Sequence, residues 1–118
     1  MGASNRKIIL AVTGASGSVY ALSLIEKLAG LKAPPSEIAT LFSNTAEQIW
    51  EHETGKPFVA INPVKVYQNN NYFVPFASGS SDYDTMIICP ASMGTIGRLA
   101  GGVSDDLICR AADVMLKE

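Results

Sequence analysis

Three segments of this sequence combine small residues with hydroxyl side chains, and each follows a short apolar run. Residues 13–18 read Thr-Gly-Ala-Ser-Gly-Ser, Ser43 follows the second run, and residues 89–95 read Cys-Pro-Ala-Ser-Met-Gly-Thr. Glycines let the backbone approach a ligand closely, and free N–H groups at the start of a helix can hold an anion. These residue types therefore favour binding of a phosphate or a similar anion without a charged side chain.

Each segment also has a plainer interpretation. Residues 13–18 could form a tight strand-to-helix turn that binds nothing, and taken alone this motif is a weak indication. Ser43 could be the N-cap of the second helix, and residues 92–95 could be ordinary capping. Two loops suited to anion binding at one edge of the sheet indicate a ligand site more specifically than either loop alone.

The elements that must position these loops alternate between strand and helix. Apolar, β-branched runs predict buried strands, and helical spacing of apolar residues predicts helices between them. This alternation predicts an open α/β domain with a parallel sheet and right-handed crossovers, whose ligand lies at the carboxyl ends of the strands. The predicted strands are 7–13, 37–42, 64–67 and 85–89, and the predicted helices are about 18–28, 44–52, 93–99 and 105–117.

The end of the second strand bears on which nucleotide could bind. It reads Phe42-Ser43-Asn44, with no acidic residue where NAD enzymes place a partner for the ribose hydroxyls. The glycine segment also lacks the third glycine of the dinucleotide fingerprint. An NAD site is therefore disfavoured, and a mononucleotide that accepts a contact from Ser43 fits better.

The amino-acid composition limits the class of protein to which this chain can belong. The 118 residues are 47% hydrophobic and 17% charged with a net charge of −2, which is typical of one ordinary globular domain and not of a nucleic-acid-binding surface. No apolar run is long enough to span a bilayer, and residues 1–7 lack signal-peptide features, so we expect a cytoplasmic location. Cys89 and Cys109 lack metal-ligand spacing, so we expect no metal site.

The predicted sheet is short for its class. Three or four strands are supplied, whereas doubly wound sheets have about five or six. We therefore expect either that the chain continues in the intact protein or that a partner covers the apolar edge.

With these residues in view, the chain resembles the UbiX-type flavin prenyltransferases, within the wider flavin-containing cysteine decarboxylase family. The resemblance runs nearly end to end, and the last of its motifs, R-A-A-D-V-x-L-K-E, is the most specific. The matching motifs are T-G-A-S-G-S at 13–18, S-N-T-A-E-Q at 43–48, H-E-T at 52–54, A-S-G-S at 77–80, C-P-A-S-M-G-T at 89–95 and the stretch 104–118.

The resemblance implies a Rossmann-like or flavodoxin-like open parallel sheet with helices on both faces, lacking its C-terminal part. Residues 1–118 would then be a single flavin-binding domain, the N-terminal two thirds of the family's full domain. The implied reaction joins a dimethylallyl group from dimethylallyl phosphate to N5 and C6 of reduced FMN. The prenylated FMN would serve a partner decarboxylase, and the enzyme would be a homo-oligomer, a trimer or dodecamer.

Site residues follow from the resemblance by matching motif. Ser16 and Glu53 are the implied catalytic residues, Ser16 in proton transfer and Glu53 near the reacting end of the flavin. Less specifically, the loop containing Ser78, Gly79 and Ser80 is implied to line the prenyl pocket. The implied FMN contacts are Gly14, Ala15, Ser16, Ser43, Ser92, Met93, Gly94 and Thr95.

Two other functions stay open at this point. An FMN-dependent cysteine decarboxylase shares the P-A-S-x-x-T pattern, although the R-A-A-D helix favours the prenyltransferase branch. A non-catalytic flavin-binding or assembly subunit is the other, because the family's further phosphate-binding residues lie beyond its L-K-E motif. This sequence of 118 residues does not contain them.

Overall fold

The computed structural model describes residues 6–77 and 82–117, in which four parallel strands form one sheet. Their order is β3-β2-β1-β4, which matches the first four strands of the Rossmann order. The predicted open parallel sheet is thus confirmed. The strands are β1 (Lys7–Val12), β2 (Glu37–Phe42), β3 (Val64–Tyr67) and β4 (Thr85–Ile88).

The helices lie on both faces of this sheet, as the resemblance implied. β1 and β2 pair residue by residue from Lys7 opposite Glu37 to Val12 opposite Phe42, so both strands end at the same level. A short 3₁₀ turn, Pro75–Ala77, precedes β4. The helices are α1 (Ser18–Ala29), α2 (Ala46–Thr54), α3 (Met93–Ala100) and α4 (Leu107–Lys117).

Successive residues of β1 point to opposite faces and so build two cores. Ile9 and Ala11 pack in the cluster that contains α4 and the 3₁₀ turn, whereas Leu10 and Val12 pack in the cluster that contains α1 and α2. Five of the six residues in each of β1 and β2 are buried, as expected for central parallel strands. All four residues of β4 are half-buried, because β4 lies at the edge of the described sheet.

Trp50 belongs to the core on the α1–α2 face of the sheet. Its side chain is 2% exposed, and its ring meets Phe42 and Phe58 edge-on with centroids 5.9 and 5.0 Å away. Such edge-to-face pairs stabilise a core beyond the burial of their area. Trp50 thus anchors α2 to the sheet.

Two helix starts differ from the sequence predictions. α2 begins at Ala46 with Thr45 as N-cap residue, so the interpretation of Ser43 as the N-cap is wrong; Ser43 instead accepts the Ala46 N–H through its backbone carbonyl at 3.0 Å. α4 begins at Leu107 and not at Asp105. Within the described residues, no helix is long and apolar enough to cross a membrane.

Candidate functional site

The loops after β1 and β4 are joined by the side chain of Thr13, which is 1% exposed. Its Oγ1 donates to the carbonyl of Pro90 at 2.6 Å and accepts the N–H of Ser92 at 2.7 Å. β1 and β4 are the neighbours between which the strand order reverses, and ligands of open α/β sheets bind at that point. Thr13 therefore holds two of the predicted ligand loops together at the switch point.

A polar cleft of about 410 Å³ opens at this point, within the usual size range of small-molecule sites. Its walls come from all three predicted segments, together with the loop after β3 and the residues that lead into α4. The lining residues are Gly14, Ser43, Asn44, Thr45, Asn69, Ser92, Thr95, Arg98, Asp105 and Asp106.

Position 14 requires a glycine, because its backbone lies close to the side chain of Thr45 inside this cleft. A Cβ added to Gly14 would lie 2.6 Å from Oγ1 of Thr45, a distance that real Cβ atoms do not tolerate. Any side chain here would push Thr45 away and change the shape of the cleft. The glycine that the sequence suggested for ligand approach thus serves the packing of two loops.

The start of α3 forms one wall of the cleft. Ser92 is the N-cap residue, and its Oγ accepts the N–H of Thr95 at 3.1 Å and lies 2.9 Å from Thr95 Oγ1. Capping, the plainer interpretation of these residues, is therefore confirmed. It does not compete with binding, because both residues line the cleft as well.

The start of α1 is already occupied by an anion of the protein itself. One oxygen of Glu53, on α2, accepts the hydroxyl of Ser16 at 2.7 Å. Its other oxygen accepts the N–H groups of Gly17 at 3.1 Å and Ser18 at 2.9 Å. In this structure the Glu53 carboxylate is therefore the anion that the start of α1 holds.

These contacts set the charge state of Glu53. The hydroxyl of Ser16, followed by the backbone N–H groups of Ser18 and Gly17, lowers the pKa of Glu53 from 4.5 to about 2. Each of these donors stabilises the ionised form. Gly17 adopts φ = 123°, a conformation that suits glycine and brings its N–H to the carboxylate.

The Ser16–Glu53 pair lines a second cleft, of about 580 Å³, which shares no lining residue with the polar cleft. Val19 and Tyr20 supply an apolar wall there, with 55% and 73% of their surfaces exposed, and His52 lies beside them. The chain therefore places a carboxylate at the edge of an apolar surface.

The predicted site residues fall into four groups. Those lining the polar cleft are Gly14, Ser43, Ser92 and Thr95, and those lining the second cleft are Ser16 and Glu53. The predicted loop residues Ser78, Gly79 and Ser80 lie outside the described residues. Those that line neither cleft are Ala15, Met93, whose surface is 81% exposed, and Gly94.

Sequence reasoning missed Arg98, Asn69 and the two aspartates of the polar cleft. Arg98 could have been found, because it lies three residues after Thr95 and so on the same side of α3. No sequence pattern pointed to Asn69, because its hydrogen-bond partners lie far along the chain. Its Oδ1 accepts the N–H of Ile108 at 2.9 Å, and its Nδ2 donates to Asp106 at 3.1 Å.

Cys109 lies beside the two aspartates, and the donor atoms of the three residues are within 4.8 Å of one another. Metal binding and nucleophilic attack both need the thiolate. Burial is the main cause that raises the pKa of Cys109, so the protonated thiol is favoured. Cys109 is therefore best described as a buried apolar residue.

Comparison with known proteins supplies the identity. The family described as Flavoprotein matches residues 2–118, nearly the whole chain. The chain belongs to the flavoprotein family. Its polar cleft at the switch point is where a member of this family with an open α/β sheet is expected to bind its ligand.

Relatives within this family include flavin prenyltransferases. The chain is 38% identical over 114 residues to flavin prenyltransferase UbiX of Methanocaldococcus jannaschii, covering 95% of this chain and 60% of that protein. The structure of AnUbiX in complex with FMN and dimethylallyl pyrophosphate matches with a TM-score of 0.84 at 34% identity, covering 98% of this chain and 61% of that one. A dodecameric FMN-dependent UbiX-like decarboxylase from Escherichia coli O157:H7 matches with a TM-score of 0.81 at 30% identity, covering 95% and 60%.

The chain spans about 60% of the length of the curated relatives it matches. The FMN-dependent cysteine decarboxylase TvaF matches with a TM-score of 0.69 at 19% identity, covering 94% of this chain and 68% of that one, a level that shows the shared fold alone.

Proposed function

We propose that this chain is the FMN-binding part of a flavin prenyltransferase that joins a dimethylallyl group from dimethylallyl phosphate to N5 and C6 of reduced FMN. Support comes from relatives that carry this name and from a neighbour solved with FMN and dimethylallyl pyrophosphate. The activity and substrates belong to the proposal, because the chain spans about 60% of those relatives.

The polar cleft fits FMN by the chemistry of its walls. Hydroxyls, a helix start and a guanidinium converge in it, and such groups bind ribityl hydroxyls and phosphate oxygens. We assign Gly14, Ser43, Ser92 and Thr95 to this cradle. The neighbouring residues Ala15, Met93 and Gly94 belong to the same loops and are proposed as backbone contacts.

The observation that carries the proposed reaction is the Ser16–Glu53 contact at the edge of the apolar cleft. Reduced FMN supplies the nucleophilic N5 and C6 atoms. The carboxylate of Glu53 is charged at neutral pH, as any ordinary glutamate is, and its lowered pKa of about 2 keeps it charged in weak acid as well. A fixed anion beside an apolar cleft stabilises positive charge that develops while the bond between the dimethylallyl carbon and the phosphate oxygen breaks.

The lowered pKa of Glu53 favours one of the two roles that a carboxylate could have here. A base works best when its pKa lies near the operating pH, and about 2 is far below neutrality. Glu53 is therefore assigned to electrostatic stabilisation rather than to proton abstraction. Ser16, whose hydroxyl both donates and accepts hydrogen bonds, is the residue proposed to carry a proton near the flavin.

The partners follow from the same proposal. The prenylated FMN serves a separate decarboxylase, and the subunits assemble as a trimer or dodecamer, supported by the dodecameric neighbour. The single flavin-binding domain at residues 1–118, the prenyl-pocket role of residues 78–80 and the cytoplasmic location stay predictions.

The first experiment replaces Glu53 with Gln, which keeps the size of the side chain and removes its charge. We expect the variant to retain FMN, because the cradle lies in the other cleft, and to form prenylated FMN at least ~10-fold more slowly. FMN binding is measured by fluorescence titration, and the product by mass spectrometry of the released flavin.

Glu51→Gln is the matched control, since Glu51 is an exposed carboxylate two residues earlier on α2. Full prenylation by Glu53→Gln would contradict the assigned role. FMN retained without prenylation in the unmodified chain would favour the non-catalytic flavin-binding subunit. Release of CO₂ from a cysteine-ended substrate would favour the cysteine decarboxylase.

A further inference from the structure

Arg98 is the one positively charged residue among the described residues that line the polar cleft. It shares this cleft with the hydroxyl residues Ser43, Thr45 and Ser92. Its side chain is 37% exposed, so the guanidinium is open to the cleft without being free in solvent. The glycine motif does not point to this residue, which lies one helical turn after Thr95 on α3.

The guanidinium of Arg98 folds back towards the start of its own helix. Its Nη1 lies 3.7 Å from the position that a Cβ would take on Gly94, in the first turn of α3. The start of a helix carries about half a positive charge, so a cation beside it is unfavourable on its own. An anion bound between the two would be attracted by both.

The present counter-ion of Arg98 is weakly held. Asp105 lies 3.7 Å from Arg98 Nε, beyond hydrogen-bond reach, and its side chain is 64% exposed. Asp106 and Cys109 also attract the guanidinium, and together with Asp105 they raise the pKa of Arg98, the hydrogen bond with Cys109 being the largest cause. The two oxygens of Asp106 also accept the Cys109 N–H and the Asn69 amide. Arg98 Nε is buried and has no hydrogen-bond partner among the described residues, a condition that a ligand oxygen would relieve.

We infer that Arg98, together with the first turn of α3, binds the phosphate of FMN and displaces Asp105 as the partner of the guanidinium. Arg98 thereby selects FMN over riboflavin, which lacks the phosphate. This inference rests on the proposed function for the identity of the ligand, and on the geometry of the cleft for the phosphate position.

The test compares FMN with riboflavin by fluorescence titration in the unmodified chain, Arg98→Gln and Asp105→Asn. We expect Arg98→Gln to weaken FMN binding by about 10-fold or more and to leave riboflavin affinity within about twofold, because a charged hydrogen bond is lost only with FMN. Asp105→Asn should strengthen FMN binding, since it removes the competing carboxylate. Lys27→Gln, which removes a charge from the far end of α1, is the matched control and should change neither affinity.

Equal weakening of both ligands by Arg98→Gln would overturn the inference, because the charge would then face the isoalloxazine ring. No effect on either ligand would overturn it too. If Arg98→Gln fails to fold, the FMN and riboflavin affinities of Arg98→Lys and Asp105→Asn test the inference instead.

A failure of the proposed function would be seen in the flavin titration of the unmodified chain. If the unmodified chain binds neither flavin, FMN is the wrong ligand, and inorganic phosphate then tests Arg98 alone. A rise in melting temperature with phosphate, at matched ionic strength, that is smaller in Arg98→Gln would support the anion site. An equal rise in both proteins, or none, would overturn it.

Discussion

Glu53 joins the start of α1 to α2 through hydrogen bonds with Ser16, Gly17 and Ser18. It is a capping group supplied from another helix, 35 residues away from Ser18 along the chain. The same carboxylate is proposed to act on the ligand. A residue with both roles links the stability of the loop to the ionisation of the site.

This linkage predicts how stability depends on pH. Because the folded-state pKa of Glu53 is lowered from 4.5 to about 2, its contribution is fully present above about 4.5 and is lost as pH falls towards 2. We expect the free energy of unfolding to fall over that window, and to fall less in Glu53→Gln. Urea unfolding at a series of pH values measures this, and identical slopes in the two proteins would contradict it.

Helix α4 shows how an element can depend on a residue outside it. Asp106 caps the helix by accepting the Cys109 N–H at 2.8 Å, and Asn69 bonds both to Asp106 and to the Ile108 N–H. The backbone carbonyl of Asn69 also accepts the N–H of Leu107 at 2.9 Å. The loop after β3 therefore helps to satisfy the free N–H groups at this helix start.

Asn69→Ala tests that dependence. We expect it to lower the free energy of unfolding by about 1–3 kcal/mol, because two N–H groups of one network lose or weaken their side-chain acceptors. Asn70→Ala, at the exposed neighbouring position, is the control and should change the free energy by less than about 0.5 kcal/mol. Chemical denaturation measures both, and equal effects would remove Asn69 from the capping network.

The elements themselves were largely predictable from the sequence. All four strands were located to within about one residue. The apolar runs of β1 and β2 mark them clearly, because both strands are buried and continuously hydrophobic. The start of α4 was missed by two residues, since either Asp105 or Asp106 could have capped it and only tertiary contacts choose between them. Helix ends are decided by capping, which sequence patterns show only in part.

At the scale of the whole molecule, the parallel sheet and the edge that carries the candidate site could be predicted, but the contacts between distant residues at that site could not. The alternation of strands and helices was enough to place the ligand loops at one edge. The resemblance implied a role for Ser16 and for Glu53 separately, but their contact was not predicted, because no local pattern relates residues 37 positions apart. Arg98 was missed because a single arginine on a helix normally indicates a solvated surface.

The edge strand β4 has a consequence for how the chain behaves at high concentration. Beside it lies an apolar groove whose walls include Met86, Ile88, Leu99, Met115 and Leu116, and no strand among the described residues pairs with the outer side of β4. Unpaired backbone groups next to apolar side chains are a template for pairing between chains. We therefore expect turbidity that grows with concentration, and expect Leu116→Lys to delay it by placing a charge at the rim of the groove. Light scattering of the two proteins at equal concentration would measure this association. Equal scattering would mean that the chains associate through another part of the surface.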